Sequence, residues 1–202
     1  MAKKTGRNTK GRIVSAAWKL FYQQGYDNTT VEEIIAESGT SKGSFYHYFE
    51  GKDALLSSLS YLFDEKYEEL MERLTPEMNC FDQLIYLNRE LFAMIENSIS
   101  LDLLARLYSS QLVTRGEKHL LDHNRIYYKL LRRIFSEGQQ RGELSPEVTV
   151  SEMVRVYALC ERALIYDWCL SDGGYSLTQY GQTMLPRFLD SFRAKRRNVE
   201  TV

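Results

Sequence analysis

Apolar residues recur along the chain at three- and four-residue intervals, a period that predicts helices from end to end with no competing strand pattern. The stripe Ile13, Ala16, Ala17, Leu20 and Phe21 predicts a first helix ending at Gln23-Gln24-Gly25. Val31, Ile34, Ile35 and Ser38 predict a short second helix. Thr30 can cap it together with Glu33 three positions on, the reciprocal pattern of a capping box, and Gly39 ends it. Thr40 or Ser41 then caps a third short helix, in which Phe45, Tyr48 and Phe49 point one way and Lys42, Ser44, Tyr46 and His47 the other. Two short capped helices that meet at one glycine make a helix-turn-helix.

From Lys52 the period continues through Leu55, Leu56, Leu59, Phe63, Tyr67, Leu70 and Leu74 to Thr75-Pro76, predicting one helix long enough to connect two domains. Further helices are predicted at about 79–96, 99–114, 117–141, 147–170 and 176–196, with Gly, Pro, Asn and Ser in the breaks between them. The expected fold is therefore all-α. A three-helix domain with the helix-turn-helix occupies residues 1–55, and a larger helical domain occupies 56–202. A unit of about 45 residues is near the lower limit for independent stability, so the first domain is expected to pack on the helices C-terminal to it.

The outward set on the third helix is suited to nucleic acid. Lysine and hydroxyl groups bind phosphate oxygens, tyrosine and histidine can also reach base edges, and Gly43 lets a backbone approach a duplex without a Cβ in the way. Residues 9–55 resemble the DNA-binding domain of the tetracycline-repressor (TetR) family. The resemblance rests on Leu20-Phe21, Gly25-Tyr26, Thr29-Thr30, the run Ser41-Lys42-Gly43-Ser44-Phe45-Tyr46-His47-Tyr48-Phe49, and Lys52 in order. It implies that Lys42 and Lys52 neutralise phosphates, that Thr30 and Ser41 donate hydroxyl hydrogen bonds to phosphate, and that Gly43, Ser44, Tyr46 and His47 face the groove. It also implies a homodimer, in which the last two helices pair with their copies and hold two reading heads on a double-stranded DNA operator.

Net charge is −1, so attraction to DNA depends on where the charges lie. Lys3, Lys4, Arg7, Lys10 and Arg12 give the first dozen residues only positive charge, a basic arm beside the reading helices; Arg193, Lys195, Arg196 and Arg197 form a second cluster at the far end. No apolar run approaches the roughly 20 residues of a membrane span, and the expected location is the cytoplasm. Cys80, Cys160 and Cys169 lack the spacing of a zinc or redox site and read as small buried hydrophobes. His119 and His123, four apart on a predicted helix, have no third ligand near them in sequence, so neither metal nor cofactor is expected.

In the larger domain, Tyr67, Phe92, Tyr108, Tyr127 and Tyr157 are expected to line a mainly apolar pocket with a few hydroxyl groups, the usual wall of a small-molecule site. Arg106, Gln111, His119, His123 and Arg162 could orient a polar ligand there. Val156, Cys160 and Leu164 on the penultimate helix, with Met184 and Phe188 on the last, are expected at the dimer interface. The function expected is a ligand-responsive transcriptional regulator, a repressor released from its operator by a small effector. A constitutive binder without effector is the alternative. An all-α enzyme finds no phosphate loop, nucleophile elbow or zinc-protease motif to support it.

Overall fold

The computed structural model describes residues 2–56, 58–113 and 118–194, with side chains from residue 9 onward. Ten α-helices succeed one another: α1 Ala2–Gln24, α2 Val31–Ser38, α3 Lys42–Tyr48, α4 Lys52–Leu56, α5 Leu59–Met71, α6 Cys80–Ser98, α7 Leu101–Val113, α8 Ile126–Gln140, α9 Val150–Leu170 and α10 Leu177–Asp190. A 3-10 turn at His119–Leu121 precedes α8, and an isolated bridge between Leu144 and Arg193 is the only β pairing among the described residues. No described helix is long and apolar enough to cross a membrane. The side chains of Lys3, Lys4 and Arg7, and all of Lys195, Arg196 and Arg197, lie outside the described residues.

Two compact units result. One comprises Met1–Leu62 with Ile99–Leu121, the other Phe63–Ser98 with Asp122–Val202. The boundary expected at residue 55 therefore has a counterpart seven residues later, and α7 adds a second segment to the first unit. The reason is visible in the core. Ile13, Ala17, Phe21, Ile34, Phe45, Phe49, Leu55 and Leu56 pack together, and Leu103 of α7 is part of the same cluster. The four helices α1 to α4 do not enclose that many large side chains by themselves, and α7 covers the remainder.

Local chemistry sets each turn of this unit. Thr30 and Glu33 form the reciprocal capping box at the start of α2. Gly39 ends α2 in the left-handed region at φ 58°, where a Cβ would also lie 2.8 Å from the Arg12 guanidinium. Arg12 donates to the carbonyls of Ser38 and Gly39 at 2.5 and 2.8 Å, which fixes the turn on α1 instead of leaving this cation to a mobile arm. Lys10 lies over the rings of Phe49 and Tyr61.

The single helix expected over 52–74 is divided into α4 and α5. The Ser58 amide and hydroxyl both donate to the Leu55 carbonyl, at 2.9 and 2.5 Å, and the Trp18 indole donates to the Ser58 hydroxyl at 2.8 Å. These bonds hold a turn where hydrophobic period alone continues a helix. The helix expected over 117–141 also starts late. Asp122 accepts from the Asn124 amide at 2.8 Å, and the turn so made delays α8 until Ile126. His119 and His123 consequently share no helix face, and no group of three potential metal ligands occurs among the described residues.

In the second unit α6 packs on α10 and α8, and α9 on α8 and α10. Gly181 permits the first of these contacts: a Cβ there would sit 2.7 Å from the Phe92 ring and 2.9 Å from the Asn88 side-chain oxygen. Arg125, at the start of α8, forms a two-pronged ion pair with Asp64 of α5 at 3.0 Å, with both side chains about nine-tenths buried. Cys80 and Cys160 are buried and Cys169 is half-buried; burial pushes the Cys160 thiol up to about 12 and that of Cys169 to about 11, values that keep them protonated.

Phe45 is fully buried at the centre of the first unit. Phe45→Ala is expected to cost roughly 3–5 kcal/mol and to unfold this unit at lower temperature, read by thermal unfolding followed by circular dichroism. An unchanged melting profile would place Phe45 outside the core.

Candidate nucleic-acid interface and a buried polar cluster

Burial of Phe45 and Phe49 fixes the rotation of α3, and the opposite face is left open. Lys42, Gly43, Tyr46 and His47 are exposed, Ser44 and Tyr48 are half-buried. Lys42 lies 3.7 Å from Glu32, both side chains about 70% exposed, an ion pair weak enough to be exchanged for a phosphate. Gly43 has only the Ser41 hydroxyl near the position of a Cβ, at 4.0 Å. A glycine inside a seven-residue helix costs about 1 kcal/mol relative to alanine, and nothing within the protein requires it. Space is therefore kept on the outer side, where a duplex backbone could approach.

The hydroxyl groups expected at phosphates have structural duties as well. Ser41 caps α3 by accepting the Ser44 amide at 3.1 Å, and its hydroxyl is 2.9 Å from that of Ser44. Thr30 gives its proton to Glu33 at 2.9 Å and accepts the Glu33 amide at 3.2 Å, so a phosphate would have to replace Glu33 as acceptor.

Lys52 departs furthest from expectation. Its ammonium donates to the carbonyls of Tyr26 and Thr29 at 2.7 and 2.8 Å, approaches that of Asp27 at 3.5 Å, and lies 4.3 Å from the centre of the Tyr26 ring. Its proton donors are occupied by the loop between α1 and α2, which makes it a clamp in this conformation and not an open phosphate ligand. Arg106 of α7 lies 5.0 Å from the same Tyr26 ring and pairs with Asp27 at 2.5 Å and Asp102 at 2.9 Å. The Tyr26 hydroxyl donates to Asp53 of α4. One ring thus joins α4, α7 and the loop that enters α2. Beside it opens a cleft of about 920 Å³ with Glu50, Asp53, Arg106 and His119 on its walls, more polar than the cavity expected between residues 60 and 170.

Of the residues expected in a ligand pocket, Tyr67, Phe92, Tyr127 and Tyr157 are buried in the second unit, whereas Tyr108 lies on α7 and belongs to the first. The rings of Tyr67 and Tyr127 are 5.1 Å apart. Between them and α9 lies a residue that sequence reasoning missed, Glu161, only 3% exposed. Tyr127 donates to one carboxylate oxygen at 2.6 Å and Asn88 to the other at 2.8 Å. Tyr157 gives its proton to the Leu84 carbonyl at 3.0 Å. Asn88 Oδ1 is buried without a hydrogen-bond partner. Burial holds the Glu161 carboxyl above the usual carboxylate range, against the opposing effect of its hydrogen bonds. The signal in the sequence was a glutamate within the apolar stripe of α9, four residues from both Tyr157 and Ile165. Of the other groups considered for ligand contact, Arg162 donates to the Tyr128 hydroxyl at 3.0 Å, and buried Gln111 accepts the Leu120 amide at 3.3 Å.

The residues of α9 expected at a dimer interface are not the exposed ones. Cys160 and Leu164 are 4% and 7% exposed, in the core of a single chain, and Val156 is half-buried. Leu159, Tyr166 and Leu170 are instead 58%, 45% and 67% exposed. The exposed apolar stripe lies one residue from the expected one, about 100° around the helix. On α10 Phe188 is 42% and Tyr180 40% exposed, and Met184 is half-buried.

The raised carboxyl of Glu161 predicts a pH signature. A folded-state pKa above the unfolded value of about 4.3 contributes stability that is complete below 4.3 and is lost as pH rises through the folded pKa. Relative to Glu161→Gln, the wild type should therefore lose melting temperature as pH rises from acid toward neutral. A difference that stays constant or reverses across that range would mean that Glu161 titrates as an ordinary carboxylate.

Residues 13–59 match the model of the bacterial regulatory proteins of the tetR family. A Bacillus subtilis protein described as the uncharacterized HTH-type transcriptional regulator YuxN is 47% identical over 60 residues, 29% of this chain, and the match spans only 21% of that relative's length. The fatty acid metabolism regulator protein of B. subtilis is 22% identical over 188 residues, covering 91% of this chain and 95% of the relative. Thermus thermophilus FadR, a TetR-family transcriptional repressor solved in complex with lauroyl-CoA, superposes with a TM-score of 0.70 at 21% identity, covering 95% of this chain and 99% of that one. That structural likeness extends over both units and shows the fold. The helix-turn-helix that the matched residues form is similar to that of the tetR family of bacterial regulatory proteins, and the remainder of the chain shares the fold of that structure.

Proposed function

We propose that the protein is a homodimeric repressor that binds a double-stranded DNA operator through α3 and leaves it when a small effector fills the second unit. The observation that carries this reading is the outer face of α3, where Lys42, Tyr46 and His47 are exposed around a glycine that the fold itself does not need. Lys42 supplies phosphate contact and Tyr46 and His47 reach the groove. A twofold reader needs a partner to fix its half-site spacing. The exposed apolar stripe Leu159, Tyr166 and Leu170, with Phe188, supports α9 and α10 as that interface. Effector release is a population shift: a ligand acts only if it prefers the conformer whose heads are wrongly spaced. The buried aromatic cluster of the second unit supports an effector site, and the acyl-CoA complex of the similar FadR structure gives one precedent for a small-molecule ligand.

Tyr46→Ala and Lys42→Ala are each expected to weaken operator binding by about 1–3 kcal/mol with the melting temperature unchanged, read by fluorescence anisotropy on selected operator DNA. Unaltered affinity in both would remove α3 from the interface.

Leu159→Asp combined with Leu170→Asp is expected to give a monomer in analytical ultracentrifugation and to abolish binding to a two-half-site operator. A dimer that persists would direct the search for the interface to another surface.

A further inference from the structure

A buried carboxylate without a countercharge is expensive, and a fold does not need one to fill space. Glu161 is such a group. No ion pair to Glu161 occurs among the described residues, Arg162 acts on it only through space, and its hydrogen bonds come from neutral groups, the Tyr127 hydroxyl and the Asn88 amide, with the Tyr157 hydroxyl also beside it. Tyr157 gives its one proton to Leu84, and Asn88 Oδ1 has no partner. Aromatic faces complete the site, with the Tyr67 and Tyr127 rings 5.1 Å apart and Phe92 buried one helical turn from Asn88. Carboxylate, orphaned carbonyl oxygen and tyrosine faces all favour positive charge and N–H donors. A phosphate or carboxylate placed there would meet like charge, and the Tyr127 hydroxyl proton and an Asn88 amide proton are already given to Glu161.

We infer that Glu161 marks the polar end of the effector site and that the effector presents a protonated nitrogen to it, as an amine, amidine or guanidine on an apolar body. The inference rests on the proposed effector-responsive reading, because the same buried cluster is the effector region of that proposal. It fixes the sign of the ligand's head group. An organic cation would take the Glu161 carboxylate as counterion, lie against the tyrosine rings, and hold the carboxyl ionised. Ligand affinity should then fall as pH drops through the Glu161 pKa, since a proton competes with the cation for the carboxylate.

The test uses the full chain and probes that share one ten-carbon body: decylammonium, decanol and decanoate, each below its aggregation concentration, with lauroyl-CoA as a fourth. Calorimetry reads binding, and anisotropy on operator DNA reads release. Decylammonium is expected to bind at least tenfold more tightly than decanol, with decanoate weaker still, and Glu161→Gln should reduce the decylammonium preference at least tenfold. Tyr127→Phe, which removes only a neutral donor from the carboxylate, should retain that preference and serves as the second variant. Tighter binding of decanoate or lauroyl-CoA, a cation preference that survives Glu161→Gln, or no binding by any probe would overturn the inference. A Glu161-dependent cation preference without operator release would uphold it while refuting effector-controlled release.

Discussion

The rotation of α3 about its own axis is the constraint on which the reading head depends, and burial of Phe45 sets it. With Phe45 fully enclosed and Phe49 almost so, a seven-residue helix has no freedom to turn. Its other face must then be Lys42, Gly43, Tyr46 and His47. Burying a phenylalanine is worth about 1.5–3 kcal/mol, more than any surface contact those four could make within the protein, so the outward set is decided from the inside. Gly39 and Arg12 determine the angle at which α3 leaves α2, the first through its left-handed backbone and the second by holding two carbonyls of the turn.

Two polar assemblies are built beside tyrosine rings, one partly exposed and one buried, and they differ in their balance of charge. Around Tyr26, each polar group has a partner: Lys52 donates to backbone carbonyls, Arg106 pairs with Asp27 and Asp102, and Asp53 accepts the Tyr26 hydroxyl. This assembly closes on itself and joins α7 to the reading helices within one compact unit. The Tyr26 ring is thus shared by α4, α7 and the loop before α2. Around Glu161 the balance is left open: the buried carboxylate has no ion pair among the described residues, and Asn88 Oδ1 has no hydrogen-bond partner. The first arrangement suits a mechanical joint. The second is the feature on which the inferred cation site rests.

The helical architecture and the reading helix were legible because they rest on period and capping, which are local. Thr30 with Glu33, Gly39, Ser41 and the apolar pair Phe45 and Phe49 all act within a few residues of their own position. What local pattern could not give was partnership across the chain. Lys52 looks like a phosphate ligand until the carbonyls of Tyr26 and Thr29, more than twenty residues earlier, are placed beside it. The break at Ser58 depends on Trp18, and the role of α7 in the first unit depends on Leu103 and Arg106. On α9, period was read correctly and phase was not: the stripe through Cys160 and Leu164 faces the chain's own core, and the exposed stripe lies one residue away.

The central claim is that the outward face of α3 reads the sequence of duplex DNA. Selection of bound fragments from random duplexes, carried out with the wild type and with variants at Tyr46 and His47, tests it most directly. The account predicts an inverted-repeat consensus from the wild type and altered base preference at symmetric positions from the variants. Failure to enrich any consensus, or the same consensus from all of the proteins, would contradict it.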